Sequence, residues 1–246
     1  MVTSAQGKVM LMPLLARRPD LAFVRGALFL QPVAHYWRYV VFNTSRWSKK
    51  FYPTCGVVQF FDRNNWPHIT VSKKYLHPTR TSWHHEEQGE AELLIEYIEH
   101  KMLPLIEPII DPEHHSIFGR EHWGPRNKLY DLPPGDLARD YCSAGLYDAA
   151  QALLEKVITE QNHSEFSNKA HNPPAGLTRF GEPLPKDAKD HPLFYWRDAY
   201  LLELLWTDRS SITPLLHEWE EHSVRAMKLE KYWQRTPFSC EGLSSP

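Results

Sequence analysis

The sequence predicts an α+β fold: an antiparallel β-meander covered by helices, followed by a mostly helical C-terminal half. Three observations carry that reading. Residues 26–61 crowd aromatic and β-branched side chains into three runs, 26–31, 36–45 and 51–61, separated by turn-forming residues. Such residues pack well on a pleated, half-buried surface. In the middle run Tyr36, Arg38, Val40 and Phe42 alternate with Trp37, Tyr39, Val41 and Asn43, so both faces carry aromatics and both need cover. Beyond residue 128 apolar residues recur at helical spacing, punctuated by Gly and Pro.

Taken in order, residues 1–8 read as a loose polar start. Residues 10–22 give a short helix that Pro13 and Pro19 limit to a turn or two. After the three strands, the turn-forming stretch 62–67 leads to a fourth strand over 68–75, where Ile69 and Val71 alternate with Thr70 and Ser72. Residues 76–89 are polar and irregular. A helix over 90–110 carries Leu93, Leu94, Tyr97, Ile98, Leu103 and Ile106, is kinked at Pro104, and is the best candidate to cover one face of the sheet. The His-, Gly- and Pro-containing stretch 111–127 reads as a long connection. A helix pair follows at 135–143 and 147–161, broken at Gly145, and then a Pro/Gly-rich surface loop at 162–190. Helices over 191–206 and 213–233 close the fold, the second with Pro214 suited to a helix start, before a frayed tail from residue 236. This divides the chain into an α+β meander-sheet domain, 1–128, and a helical region, 129–246, which can pack together as one domain.

Composition narrows the function. A chain of 246 residues, 42% hydrophobic and 24% charged, is long enough to bury a sizeable core. A net charge of −2 lacks the basic surplus of a protein committed to nucleic acid. No run approaches the ~18 apolar residues of a membrane span, so neither nucleic acid nor membrane is expected as a partner. Residues 9–16 are apolar but contain Pro13 and run into Arg17 and Arg18, which is a helix or core segment and not a cleavable signal. Cys55, Cys142 and Cys240 are sparse and form no CxxC pair, which suggests a reducing, cytoplasmic setting and no structural zinc.

No Walker loop, GxGxxG or GxSxG motif is present, and no cofactor is expected. Histidine is a second local signal, with seven of 14 falling between His77 and His122. Neutral imidazole and carboxylate are zinc, iron and nickel ligands, so His84, His85, His114, His115 and His122 define the alternative reading of a metal-dependent hydrolase or nuclease. Adjacent histidines point different ways and none of these pairs has HExxH spacing, so solvated loop histidines are the plainer reading. His68-Ile69-Thr70 and His77-Pro78-Thr79 resemble the HxT elements of two-histidine phosphoesterases, but that family draws its motifs from distant halves of the chain and these lie nine residues apart. Trp47, Trp66, Trp83 and Trp123 fall in or beside loops, where an exposed indole anchors a partner. Cys55 is expected to be packed, and Arg197 and Asp198 to pair at the surface.

Two resemblances add to this. Leu137, Ala138, Tyr141, Gly145, Tyr147, Asp148, Ala150 and Leu154 resemble the spacing of one tetratricopeptide-like helical hairpin over 134–161, with Pro134 where that family has Trp and Asn162 where it has Pro. The resemblance implies peptide or protein binding, although no second copy follows. Residues 21–29, with Arg25 and Phe29, resemble the GFxRxGxxF opening of an uncharacterised bacterial, immunity-like domain family with a meander sheet, with Ala22 in place of its first Gly. That resemblance implies an α+β fold without assigned catalysis. The expectation is a cytoplasmic, bacterial, non-catalytic binding module with a protein partner, leaning away from an enzyme.

Overall fold

The computed structural model of the chain describes residues 3–44, 50–63, 71–84, 87–122, 132–163, 188–190 and 194–242. The fold is α+β. Helix α1 (Ser4–Arg17) precedes strands β1 (Leu21–Val24), β2 (Ala27–Leu30), β3 (Tyr36–Thr44), β4 (Lys50–Gln59), β5 (Val71–Lys74) and β6 (Trp83–His84). Every pairing is antiparallel, in the order β1-β2-β3-β4-β5, with β6 paired to β4 beyond the end of β5. Helices α2 (Glu90–Tyr97), α3 (Leu103–Ile106), α4 (Pro112–His122), α5 (Pro134–Ser143), α6 (Tyr147–His163), α7 (Phe194–Thr207) and α8 (Ile212–Met227) complete it.

The sheet grows from a two-residue hairpin. Val24 pairs with Ala27, and Arg25 and Gly26 between them both have positive φ, 53° and 86°. Two such residues make the tight turn whose twist matches antiparallel strands, and glycine supplies one of them without strain. The alternation read in the middle run holds. Tyr36, Val40 and Phe42 enter the core formed with α1, α2 and the later helices, while Trp37 and Tyr39 face a second cluster with Phe29, Val58 and Phe60. That second face is closed by Val224 and Met227 of α8 and by Leu229 just beyond it. The first core draws Leu11, Val40, Leu137, Leu205, Trp219 and Phe238 together, so the two regions drawn from the sequence share one hydrophobic core.

Several elements differ from expectation. The start is not loose: Thr3 and Gln6 form a reciprocal capping box, with Gln6 N–H donating to Thr3 Oγ1 at 3.2 Å and Thr3 N–H to Gln6 Oε1 at 2.9 Å. Helix α1 then runs 14 residues straight through Pro13. Proline at that position leaves the carbonyl four residues back, that of Val9, without its helical donor; Val9 and Pro13 are both exposed, so water can serve it. Residues 21–22, expected as a helix end, belong to β1. Residues 83–84 form a short strand inside the stretch expected to be irregular, and 112–122 is a helix, not a connection. The helix expected over 90–110 is interrupted as foreseen: residues 98–102 widen into a π-turn, with Leu103 N–H reaching Ile98 O. The wider turn relieves the clash that Pro104 imposes on the preceding carbonyls. Of the fourth strand, 71–74 is strand and 68–70 lies outside the described residues, as does 164–187 of the expected surface loop.

Residues 236–242 of the expected tail are not frayed either. Past α8, which ends at Lys228 with φ 57°, the chain returns as a strap. Val33 N–H donates to Tyr232 O and Gln234 N–H to Val33 O, both at 2.8 Å. Phe238 is buried, its ring 4.0 Å from that of His35 and 5.2 Å from that of Phe61.

Candidate functional site

The helix hairpin α5–α6 places an unusual set of charges inside the protein. On α5, Asp136, Arg139 and Asp140 recur at helical spacing and all three are buried, facing the C-terminal end of β4 and the turn after it. Arg139, 1% exposed, holds three carboxylates at once: Asp62 at 2.8 Å, Asp136 at 2.7 Å and Asp198 at 2.5 Å. Arg197 of α7 adds a second cation, 3.7 Å from Asp62, and donates to Arg63 O at 2.8 Å. Gly135 is required here, since a Cβ would stand 2.5 Å from Asp198 Oδ2. Burial pushes the Asp136 carboxyl up to about 6, partly offset by Arg139. Burial likewise raises Asp198 and lowers Arg197. The expected surface pair Arg197–Asp198 is therefore corrected: Asp198 pairs with Arg139, and Arg197 is buried.

One turn along, Asp140 accepts from Tyr36 OH and Gln59 Nε2, both at 2.6 Å, and from His115 Nδ1 at 2.8 Å. A His–Asp pair can serve as a general base when its outer nitrogen meets a substrate. His115 is fully buried and its Nε2 has no hydrogen-bond partner, so no surface leads a reactant to it among the described residues. This centre joins sheet to helices.

The sequence-derived ligands do not converge. His114 sits on the surface with Nδ1 2.9 Å from Asp111, beside the buried and differently directed His115. His122 packs on Phe118, and His84 lies by Ser82 and Glu87 at the head of α2. His85 lies outside the described residues. No three His, Cys, Asp or Glu among the described residues are placed to hold one metal ion, so His84, His114, His115 and His122 form no such set among them. Trp83 is not an exposed anchor: it is 0% exposed, paired to Phe51 across β6–β4 and edge-on to Tyr97. Trp47, Trp66 and Trp123 lie outside the described residues. Cys55 is packed as expected, and burial raises its thiol to about 11.

What is open lies elsewhere. Helix α1 buries Gly7, Leu11 and Leu14, yet its outer side carries Ala5, Val9, Met12, Pro13 and Ala16, all exposed. Val9 is 68% and Met12 59% exposed. Beside this stripe, Met10, Pro13, Ala91 and Ile95 line a groove of about 250 Å³ between α1 and α2, walled by Glu92, Glu96 and Glu99. Arg17 closes one end with a 2.7 Å ion pair to Glu99. The sequence reading passed over this surface because residues 9–16 are apolar throughout, and Pro13 obscured which of them face inward. No helix among the described residues is long and apolar enough to cross a membrane. A scan against protein-family models and searches among curated proteins and solved structures return no match to this chain.

Proposed function

We propose that this chain is a non-catalytic protein-binding module, immunity-like in role, whose contact face is the outer side of α1 with the adjoining α1–α2 groove. The observation that carries the reading is the exposed apolar stripe of α1. A helix with Leu11 and Leu14 buried has already satisfied the sheet, so Val9 and Met12 on its other side add nothing to the fold. Contiguous exposed apolar surface rimmed by charge is the signature of a protein contact. The polar centre supports the same conclusion from the opposite side, since Asp140 and the carboxylates around Arg139 are held by partners within the chain.

The test is capture from source lysate with the wild type and with Val9→Glu/Met12→Glu. Both positions are exposed, so the double variant is expected to keep its stability within about 0.5 kcal/mol. Recovery of a specific protein by the wild type, reduced about tenfold or more in the variant, is the expected result. Equal recovery by both, or none by the wild type, contradicts the assignment.

A further inference from the structure

We infer that the groove receives α1 of a second copy of this chain, forming a two-fold dimer. The inference rests on the α1–α2 face being the contact face and adds its occupant. The groove sets the chemistry that it accepts: an apolar helix stripe bordered by cations, because its floor is Met10 and Ile95 and its wall is glutamate. Glu99 is already neutralised by Arg17 of its own copy, whereas no ion pair reaches the exposed Glu92 or Glu96 among the described residues.

Helix α1 meets both requirements. Its sequence, SAQGKVMLMPLLAR, contains no acidic residue. Ala5, Val9, Met12 and Ala16 recur at i, i+4, i+7 and i+11 along its outer side, and the exposed Lys8 lies one turn before Met12 beside that stripe. Stripe and groove adjoin on one surface. A two-fold axis there lets each copy give its stripe and receive the other's, the self-complementary arrangement of an isologous contact. Lys8 of one copy then meets Glu92 and Glu96 of the partner subunit, while Val9 and Met12 are covered. Opposite charge across the contact sets register, and the apolar stripe supplies the attraction.

Sedimentation velocity of the full chain, from about 1 to 200 µM, tests this. The expected result is a concentration-dependent rise to twice the monomer mass. Met12→Glu abolishes it across that range, and Lys8→Glu weakens it about tenfold or more. Combining Lys8→Glu with Glu92→Lys and Glu96→Lys restores association by exchanging the two sides of the pair. A wild type that stays monomeric throughout overturns the dimer; the lysate capture above then judges the contact face on its own. A dimer indifferent to Met12→Glu and Lys8→Glu also overturns it, since the copies then meet elsewhere. A triple variant that stays monomeric while Lys8→Glu alone is weakened overturns the pairing of Lys8 with Glu92 and Glu96.

Discussion

Replacing Arg139 by methionine is expected to destabilise the protein by about 3–5 kcal/mol, because it strands buried charges. Asp62, Asp136 and Asp198 all lean on that one guanidinium, and Arg197 at 3.7 Å from Asp62 is too distant to serve all three. A urea titration reads the loss as a lower midpoint with an unchanged slope. Adding Asp136→Asn to the variant is expected to recover part of it, since Asp136 is a carboxyl whose ionisation burial already disfavours. The sign of the pH response follows. Asp136 has a folded pKa of about 6 against an ordinary 3.8, so the native state holds a proton that the unfolded chain releases. Its contribution to stability is therefore present at low pH and lost as pH rises towards and through about 6. An Arg139→Met protein as stable as the wild type contradicts this picture of the polar centre.

Glu220→Ala is the second large effect, and it acts on the strap. Glu220 is fully buried, accepts from Trp233 Nε1 at 2.9 Å, and lies 3.0 Å from His35 Nδ1 and 3.8 Å from His217 Nδ1. Glu241 on the strap holds His217 Nε2 at 2.7 Å and accepts the Phe238 N–H, also at 2.7 Å. Removing the shared carboxylate leaves buried donors unpaired, at a cost of about 3–5 kcal/mol. Limited proteolysis is expected to cut residues 233–242 sooner than in the wild type. Glu220, then burial in the opposite sense, then Glu241 set the His217 pKa, with a net rise above its ordinary 6.5. Burial works against ionisation of Glu220, but the nearby His217 at 3.8 Å together with the hydrogen bonds from His35 and Trp233 outweigh it and hold that carboxyl below 4.5; Glu241 is lowered in the same sense. The His217 contribution is thus fully present below about 6.5 and lost as pH rises through its raised value, while the glutamate contributions are lost on acidification below 4.5. Proteolysis of the wild-type tail is expected to be slowest between those limits. A tail cleaved equally fast in variant and wild type sinks the clamp.

Much of the sheet was legible because its signal is local. Aromatic and β-branched runs with period two mark β2, β3 and β4, and Gly145, with φ 78°, marks the break between α5 and α6. Strand β1 was not legible: four residues after Pro19 are too few to show a period. Helix α4 was missed because His, Gly and Pro suggest a connection. Yet Pro112 stands at its first turn, where proline is tolerated, and His115, Phe118 and Gly119 form its buried side. The charged centre had no local signature. Asp136, Arg139 and Asp140 read as a solvated helix face, and only the contacts of Arg139 with Asp62, some 77 residues earlier in the chain, and Asp198, some 59 residues later, make them interior. Trp83 misled for the same reason, since its burial depends on pairing with Phe51.

The most direct measurement is site-specific photo-crosslinking in source cells from two positions of like exposure, Met12 on α1 and Leu146 in the α5–α6 turn, 59% and 54% exposed. An adduct from position 12 to a protein, whether a second copy or another chain, with none from position 146, is the result that the α1 contact face predicts. Adducts from position 146 alone, or from neither, contradict it.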